Sequence, residues 1–343
     1  MMALTRRKFL DRGLLLAGAA ALGPGVLGMI RPTIPRPNED PATYPSYLGL
    51  EKSGELARRA EKLRAIFENC HLCPRDCRVN RLKGETGVCR ATARVKISSA
   101  FPHFGEERPL VGKNGSGTIF FSNCGLRCIY CQNYTISLEG QGVEITDDQL
   151  AETMLQVQDF GCHNINLVTP THYVPNIVRA VEIACRRGLK IPLVYNTGGY
   201  ENLEVLRLLE GIVDIYMPDL KYMNAELAAK YSSGAYNYPH YAKLAVKEMH
   251  RQVGELSFND RGIARRGVIL RHLILPQKIS GTEEFIKFVV NELSPRTYVN
   301  LMGQYRPEYQ AKEYRELNRR ITRDEYQQAL TWARRYGLTR LDH

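Results

Sequence analysis

The stretch Thr118-Ile119-Phe120-Phe121-Ser122-Asn123-Cys124-Gly125-Leu126-Arg127-Cys128-Ile129-Tyr130-Cys131 sets three cysteines at C-x3-C-x2-C directly after a short apolar run. The run reads as a strand, and the cysteine loop follows its C-terminal end. Thiolates are soft ligands suited to zinc and to iron–sulfur clusters. Three of them are one short of closing either kind of site. A cluster held by three cysteines keeps one iron for a ligand that is not protein. A structural zinc site, or cysteines that merely fall close together, is the plainer alternative.

Beyond this loop, apolar β-branched runs alternate with longer helical patterns. Strands are expected over 117–122, 165–169, 191–195, 212–217, 268–275 and 298–302. Between them lie helical patterns over 146–159, 174–187, 203–209, 225–231, 240–253 and 282–293, the first with Thr146 as N-cap. A last amphipathic helix, 322–337, carries Thr322 and Glu325 at capping-box spacing. Strict alternation implies a parallel sheet wrapped by helices. Six units predict an α/β fold built as a partial (β/α)6 barrel, although a flat doubly wound sheet shares the alternation.

Polar residues gather where these strands end, the position of catalytic groups in such barrels. They are Thr169-Pro170-Thr171-His172-Tyr173, Asn196-Thr197-Gly198-Gly199-Tyr200, Asp219-Leu220-Lys221-Tyr222, Arg271-His272 and Met302-Gly303-Gln304-Tyr305. One such cluster would be loop chemistry; five in register make a site. His172 reads either as an acid or base near pH 7 or as a satisfied loop histidine.

Seven of the nine cysteines fall between Cys70 and Cys131 in two tight groups, the distribution of metal ligands rather than of a disulfide scaffold. Cys162 and Cys185 read as buried small hydrophobes. The upstream group is Cys70, Cys73, Cys77 and Cys89, with Gly84 and Gly87 allowing the turn that brings the last one back. Four thiolates close a site without an exchangeable ligand, so zinc and a fully ligated auxiliary cluster stand as equals.

The chain divides into 1–30, an address label; 31–53, a proline-rich linker; 54–112, a helix and the four-cysteine region; 113–310, the barrel; and 311–343, a helical segment. Thr5-Arg6-Arg7-Lys8-Phe9-Leu10 and the apolar stretch 14–27 resemble a twin-arginine export signal. Kept uncleaved, the segment would be a membrane anchor on the periplasmic side; initiation near Met29 would instead make the protein cytoplasmic. With 44% hydrophobic residues the chain can build a real core. The net charge of +11 is spread over solvated helix faces, so no nucleic-acid partner is expected from it.

C-x3-C-x2-C with an aromatic before the last cysteine resembles the cluster motif of the radical S-adenosylmethionine (SAM) superfamily. The resemblance implies a [4Fe–4S] cluster on Cys124, Cys128 and Cys131, with SAM on the open iron. Electron donation by a flavodoxin or ferredoxin would then split SAM to methionine and a hydrogen-abstracting 5′-deoxyadenosyl radical. It further implies SAM contacts from Tyr130, Asn133, Thr169, Asn196, Thr197, Gly198, Gly199, Asp219, Arg271 and Gln304. The C-x2-C-P-x2-C pattern also resembles proteins related to pyruvate formate-lyase activating enzymes, oxidoreductases that act on a protein glycine; a protein or peptide substrate is the corresponding expectation. One departure stands out. The family's second strand usually ends in a glycine-rich turn with an acidic residue for SAM's amino group, whereas Thr169-Pro170-Thr171 has neither. The contrasting readings are a two-cluster electron-transfer protein, a zinc-stabilised binding module and a radical SAM enzyme acting on RNA.

Overall fold

The computed structural model describes residues 44–342, so the twin-arginine-like segment and the linker up to residue 43 lie outside the described residues. The strands are β1 (Val95–His103), β2 (Ser116–Phe121), β3 (Val143–Ile145), β4 (Ile165–Val168), β5 (Leu193–Thr197), β6 (Ile215–Pro218), β7 (Ser257–Phe258), β8 (Ala264–Leu273) and β9 (Tyr298–Met302). The helices are α1 (Tyr47–Lys52), α2 (Glu55–Ala65), α3 (Arg108–Val111), α4 (Tyr134–Ser137), α5 (Asp147–Asp159) and α6 (Val174–Arg186). They continue as α7 (Leu203–Leu208), α8 (Ala225–Tyr231), α9 (Tyr238–Val253), α10 (Thr282–Glu292) and α11 (Arg323–Arg335).

Parallel pairing runs β2–β4–β5–β6–β8–β9, and β1 adds to β2 antiparallel. These six parallel strands keep their chain order. A doubly wound sheet would reverse direction at a switch point; this one does not, and the arrangement is consistent with a radical SAM-type partial barrel.

Alternation along the strands separates two cores. Ile165, Leu167, Tyr195, Tyr216, Val268 and Leu270 belong to the large core beneath the helices. Val194, Ile215, Met217 and Ile269 point the other way and meet Leu110 in a small inner core. Burial on both faces explains why these strands read as near-continuous apolar runs. Two residues further along the same inner face stand Asn196, Asp219 and Arg271. The inner face thus changes from apolar to charged at the strand ends, and this positions the site.

Local signals are realised where they were strongest. Thr146 with Gln149, and Thr322 with Glu325, form reciprocal capping boxes. β3 and β7 were not expected: each has two or three residues, and its pairing with β1 or β8 defines it. β8 begins earlier than the expected residue 268 because its first residues pair with β7.

The linker expectation over 31–53 needs correction at its end, because residues 47–52 are helix α1. The last proline is Pro45, and Tyr47 beyond it is wholly buried with its hydroxyl donating to Ile191 O at 2.9 Å. Ser46 N and Oγ both donate to Asp214 Oδ1 at 3.0 Å. All the described residues belong to one compact unit, so 54–112, 113–310 and 311–343 are segments of it.

β2 approaches α5 closely only because residue 117 lacks a side chain. A Cβ on Gly117 would lie 2.0 Å from Val157 Cγ1 and 2.7 Å from Asn164 O. Gly117→Ala is expected to cost about 2 kcal/mol or more through overpacking. The check is an earlier denaturant midpoint at unchanged slope; an unmoved midpoint contradicts the packing described.

Candidate active site

The loop after β2 turns through two left-handed residues, Asn123 (φ 75°) and Arg127 (φ 51°), and sends Cys128 inward. Ser232 Oγ donates to Cys128 Sγ at 3.1 Å, and Cys131 Sγ lies 2.9 Å from Ser137 Oγ. Burial pushes the Cys128 thiol up to about 12, with nearby Lys221 pulling the other way. Burial raises the Cys131 thiol as well. Left to themselves these thiols stay protonated, but a coordinated metal deprotonates a thiol outright. Among the described residues no three His, Cys, Asp or Glu side chains are drawn in to ligation geometry. The fit to a cluster therefore rests on the donor set: three soft ligands on one short loop, with a hydroxyl beside each of Cys128 and Cys131 and the Lys221 cation near both.

The polar strand ends do converge. Asp219 Oδ1 accepts from Arg271 Nε and its Oδ2 from Lys221 Nζ, both at 2.7 Å. Arg271 Nη2 donates to Asn196 Oδ1 at 2.7 Å. Burial alone would raise the Asp219 carboxyl, but the Arg271 and Lys221 charges hold it below the usual carboxylate range. The network also recruits Glu107, which takes Arg271 Nη1 at 3.4 Å and Asn300 Nδ2 at 3.1 Å. A carboxylate in the connector between β1 and β2 offers no spacing signal, and sequence reasoning missed it.

A small cleft opens beside the cysteine loop, lined by Cys73, Cys124, Gly125, Leu126, Thr169, Thr171, His172, Thr197, Gly198 and Tyr200. Thr169 sits at φ 61°, a costly conformation for a β-branched residue. Gly198 passes so close to the cysteine loop that a Cβ would meet Leu126 Cδ1 at 2.6 Å.

Other expected residues fall elsewhere. Tyr130 is buried edge-on against Tyr222 and Tyr305, each with ring centres 6.1 Å away. Asn133 is exposed at the start of α4, and Gln304 is exposed beyond β9. Gly199 takes the left-handed turn after β5, its backbone against Asp219 O. His172 is a buried histidine held by one ring nitrogen: its Nε2 donates to Ser122 O at 2.8 Å, its Nδ1 has no partner, and burial pushes its pKa down to about 3. It is neutral at pH 7 and does not serve as a proton switch there.

The four upstream cysteines line a common cavity with Arg75, Arg81 and His172. Cys70 N donates to Val79 O and Arg78 N to Cys70 O, which folds the segment back on itself. Gly87 is needed where the chain returns, since a Cβ there would lie 2.5 Å from Cys77 Sγ. Cys73 lines this cavity and the one beside the cysteine loop. Arg75 fastens the two modules, donating to Gly125 O at 3.0 Å and to Ser232 O and Ser233 O at 2.8 Å. This docking had no signal in the sequence.

The radical SAM superfamily model matches residues 118–288. An uncharacterized protein of Methanocaldococcus jannaschii is 33% identical over 297 residues, covering 84% of this chain and 80% of its own length. A second uncharacterized protein of that organism is 28% identical over 180 residues, 47% of this chain and 51% of its own. The chain belongs to the radical SAM superfamily. It is a radical SAM enzyme, and the family implies a [4Fe–4S] cluster and SAM.

Replacing Asp219 with Asn would leave Arg271 and Lys221 buried without their shared anion. Asp219→Asn is expected to cost about 3–5 kcal/mol of stability at pH 7, read by chemical denaturation. Because the folded carboxyl lies low, the wild-type increment is present above the ordinary Asp range and is lost as pH falls through the lower folded value. A neutral outcome would mean that the network carries little of the fold.

Proposed function

We propose that this enzyme resembles the activating enzymes of glycyl radical enzymes and takes a hydrogen atom from a protein glycine or another peptidyl carbon. The observation that supports radical chemistry most is a juxtaposition. Cys124, in the loop after β2, shares a cavity wall with Thr169 and Thr171 after β4 and with Thr197 and Gly198 at the end of β5, and Thr197 directly follows Asn196 of the buried Asp219–Arg271–Asn196 network. Bound there, a reduced [4Fe–4S] cluster and SAM supply methionine and a 5′-deoxyadenosyl radical, the electron coming from a flavodoxin or ferredoxin. Cys124, Cys128 and Cys131 would hold the cluster. Thr169, Thr197 and Gly198 would line the SAM site, and Arg271 with Asn196 would orient its polar groups. The peptidyl target rests on the likeness of the C-x2-C-P-x2-C segment to activating-enzyme relatives.

The four upstream thiols are assigned a second metal, zinc or an auxiliary cluster. Arg81 supports this. It is 1% exposed, and its guanidinium donates to His172 O at 2.6 Å and to Thr92 O. Its Nε has no partner. A buried guanidinium served only by carbonyls and by the faces of Phe67 and Tyr173 carries a charge with no anion paired to it. Four thiolates around a divalent metal or a cluster leave a net negative charge in the cavity that Arg81 lines.

Export through the twin-arginine route, or a cytoplasmic enzyme started near Met29, would be decided by residues outside those described. No helix among the described residues is long and apolar enough to cross a membrane.

The test is anaerobic reconstitution, with iron and sulfide content followed by reductive cleavage of SAM to 5′-deoxyadenosine. About four irons are expected if the upstream thiols hold zinc and about eight if they hold a cluster. Cys128→Ala is expected to abolish cleavage. Zinc uptake alone, with SAM left intact, would replace this reading by a structural metal module.

A further inference from the structure

Glu201 immediately follows the Asn196–Tyr200 turn and is wholly buried. Its carboxylate accepts from the hydroxyls of Thr171 at 2.6 Å, Tyr195 at 3.1 Å and Thr197. Burial raises this carboxyl, three hydroxyls oppose the rise, and no cation is among the groups favouring its charged form. A carboxylate sunk among hydroxyls alone carries charge that its own surroundings do not balance.

Two of the three donors, Thr171 and Thr197, stand on the wall of the cavity beside Cys124. A hydroxyl has one proton to give. Once that proton goes to Glu201, the oxygen can only accept, and the anion behind it strengthens it as an acceptor. Thr197 Oγ1 already takes Gly199 N–H at 3.3 Å. Thr171 Oγ1 lies 3.3 Å from Thr197 Oγ1, but with both protons given to Glu201 neither donates to the other, and Thr171 Oγ1, on the cleft wall, keeps its lone pairs for a ligand. The left-handed backbone of Thr169 on the same wall is independent support, since such strain gathers at ligand clamps.

We propose that Glu201, acting through Thr171, makes this wall an acceptor-only, anionic face that holds the amino end of SAM. The assignment rests on the reading that SAM occupies this cavity. SAM brings N–H donors and a positively charged sulfonium to a surface that has excess negative charge and its hydroxyl protons already spent. Thr171 touches the ligand, and Glu201 is a positioning residue. The carboxylate missing after the second parallel strand is thus supplied from beyond the third.

The experiment uses the full reconstituted chain and measures Kd by calorimetry for SAM and for an analogue with hydrogen in place of the α-amino group, alongside iron content. Glu201→Gln and Thr171→Val are each expected to weaken SAM about ten- to a hundredfold. Affinity for the analogue and iron content should stay unchanged. The double variant should be no worse than either single one, because both cut the same relay. Equal losses for both ligands, additive losses, or unchanged SAM affinity would overturn the assignment. If Glu201→Gln does not fold, the near-isosteric Thr171→Val decides alone, and an unchanged preference for SAM over the analogue overturns it. Iron-loaded wild type that binds neither ligand contradicts the SAM reading itself, and this assignment with it.

Discussion

A guanidinium buried at the end of a parallel sheet must find its anions there, and Arg271 finds them on several elements. Its partners Asp219, Asn196 and Glu107 come from the end of β6, from β5 and from the connector before α3. Each partner is costly to bury alone, so the network forms as a unit or not at all. That constraint fixes the relative height of the strand ends. The cysteine loop and the turns after β4 and β5 inherit their positions from it. The inner apolar core lies one pleat below, so the charged layer is sealed from beneath by Val194, Met217 and Ile269.

The upstream thiols are part of the same construction. Arg75 spends its guanidinium on backbone carbonyls of the cysteine loop and of the turn after α8, and Cys73 stands on the wall between the two cavities. A metal in the upstream site would therefore lie next to the catalytic loop. Arg81 and Glu201 form a complementary pair of facts. One is a buried cation and the other a buried anion, and each is satisfied only by neutral groups. In both cases the proposed occupant of the neighbouring cavity would supply the balancing charge: metal thiolates in one, SAM in the other.

Much of the parallel sheet and its helices was legible because parallel strands buried on both faces announce themselves as apolar runs, and because Thr146 and Thr322 carry complete capping boxes. The cysteine loop was legible because its chemistry depends on local spacing. Helix α1 was not, since the prolines before it dominated the reading while Tyr47 is held by contacts about 140 residues away. Glu107, Glu201, Arg75 and Arg81 act through partners distant in sequence or through burial, and neither is visible in spacing. His172 showed the converse: its residue type suggested proton transfer, but burial and a single carbonyl fix it as neutral.

Radical chemistry here would need Cys124, Cys128 and Cys131 to hold a cluster with one iron left to SAM. The most direct measurement is the electron paramagnetic resonance spectrum of the reduced, reconstituted protein in which Cys70, Cys73, Cys77 and Cys89 are all changed to Ala, recorded with and without SAM carrying 15N in its amino group. One reduced cluster signal is expected, shifting on adding SAM and showing coupling to the labelled nitrogen. A signal indifferent to SAM, or no cluster on the three remaining thiols of a folded protein, would contradict this reading.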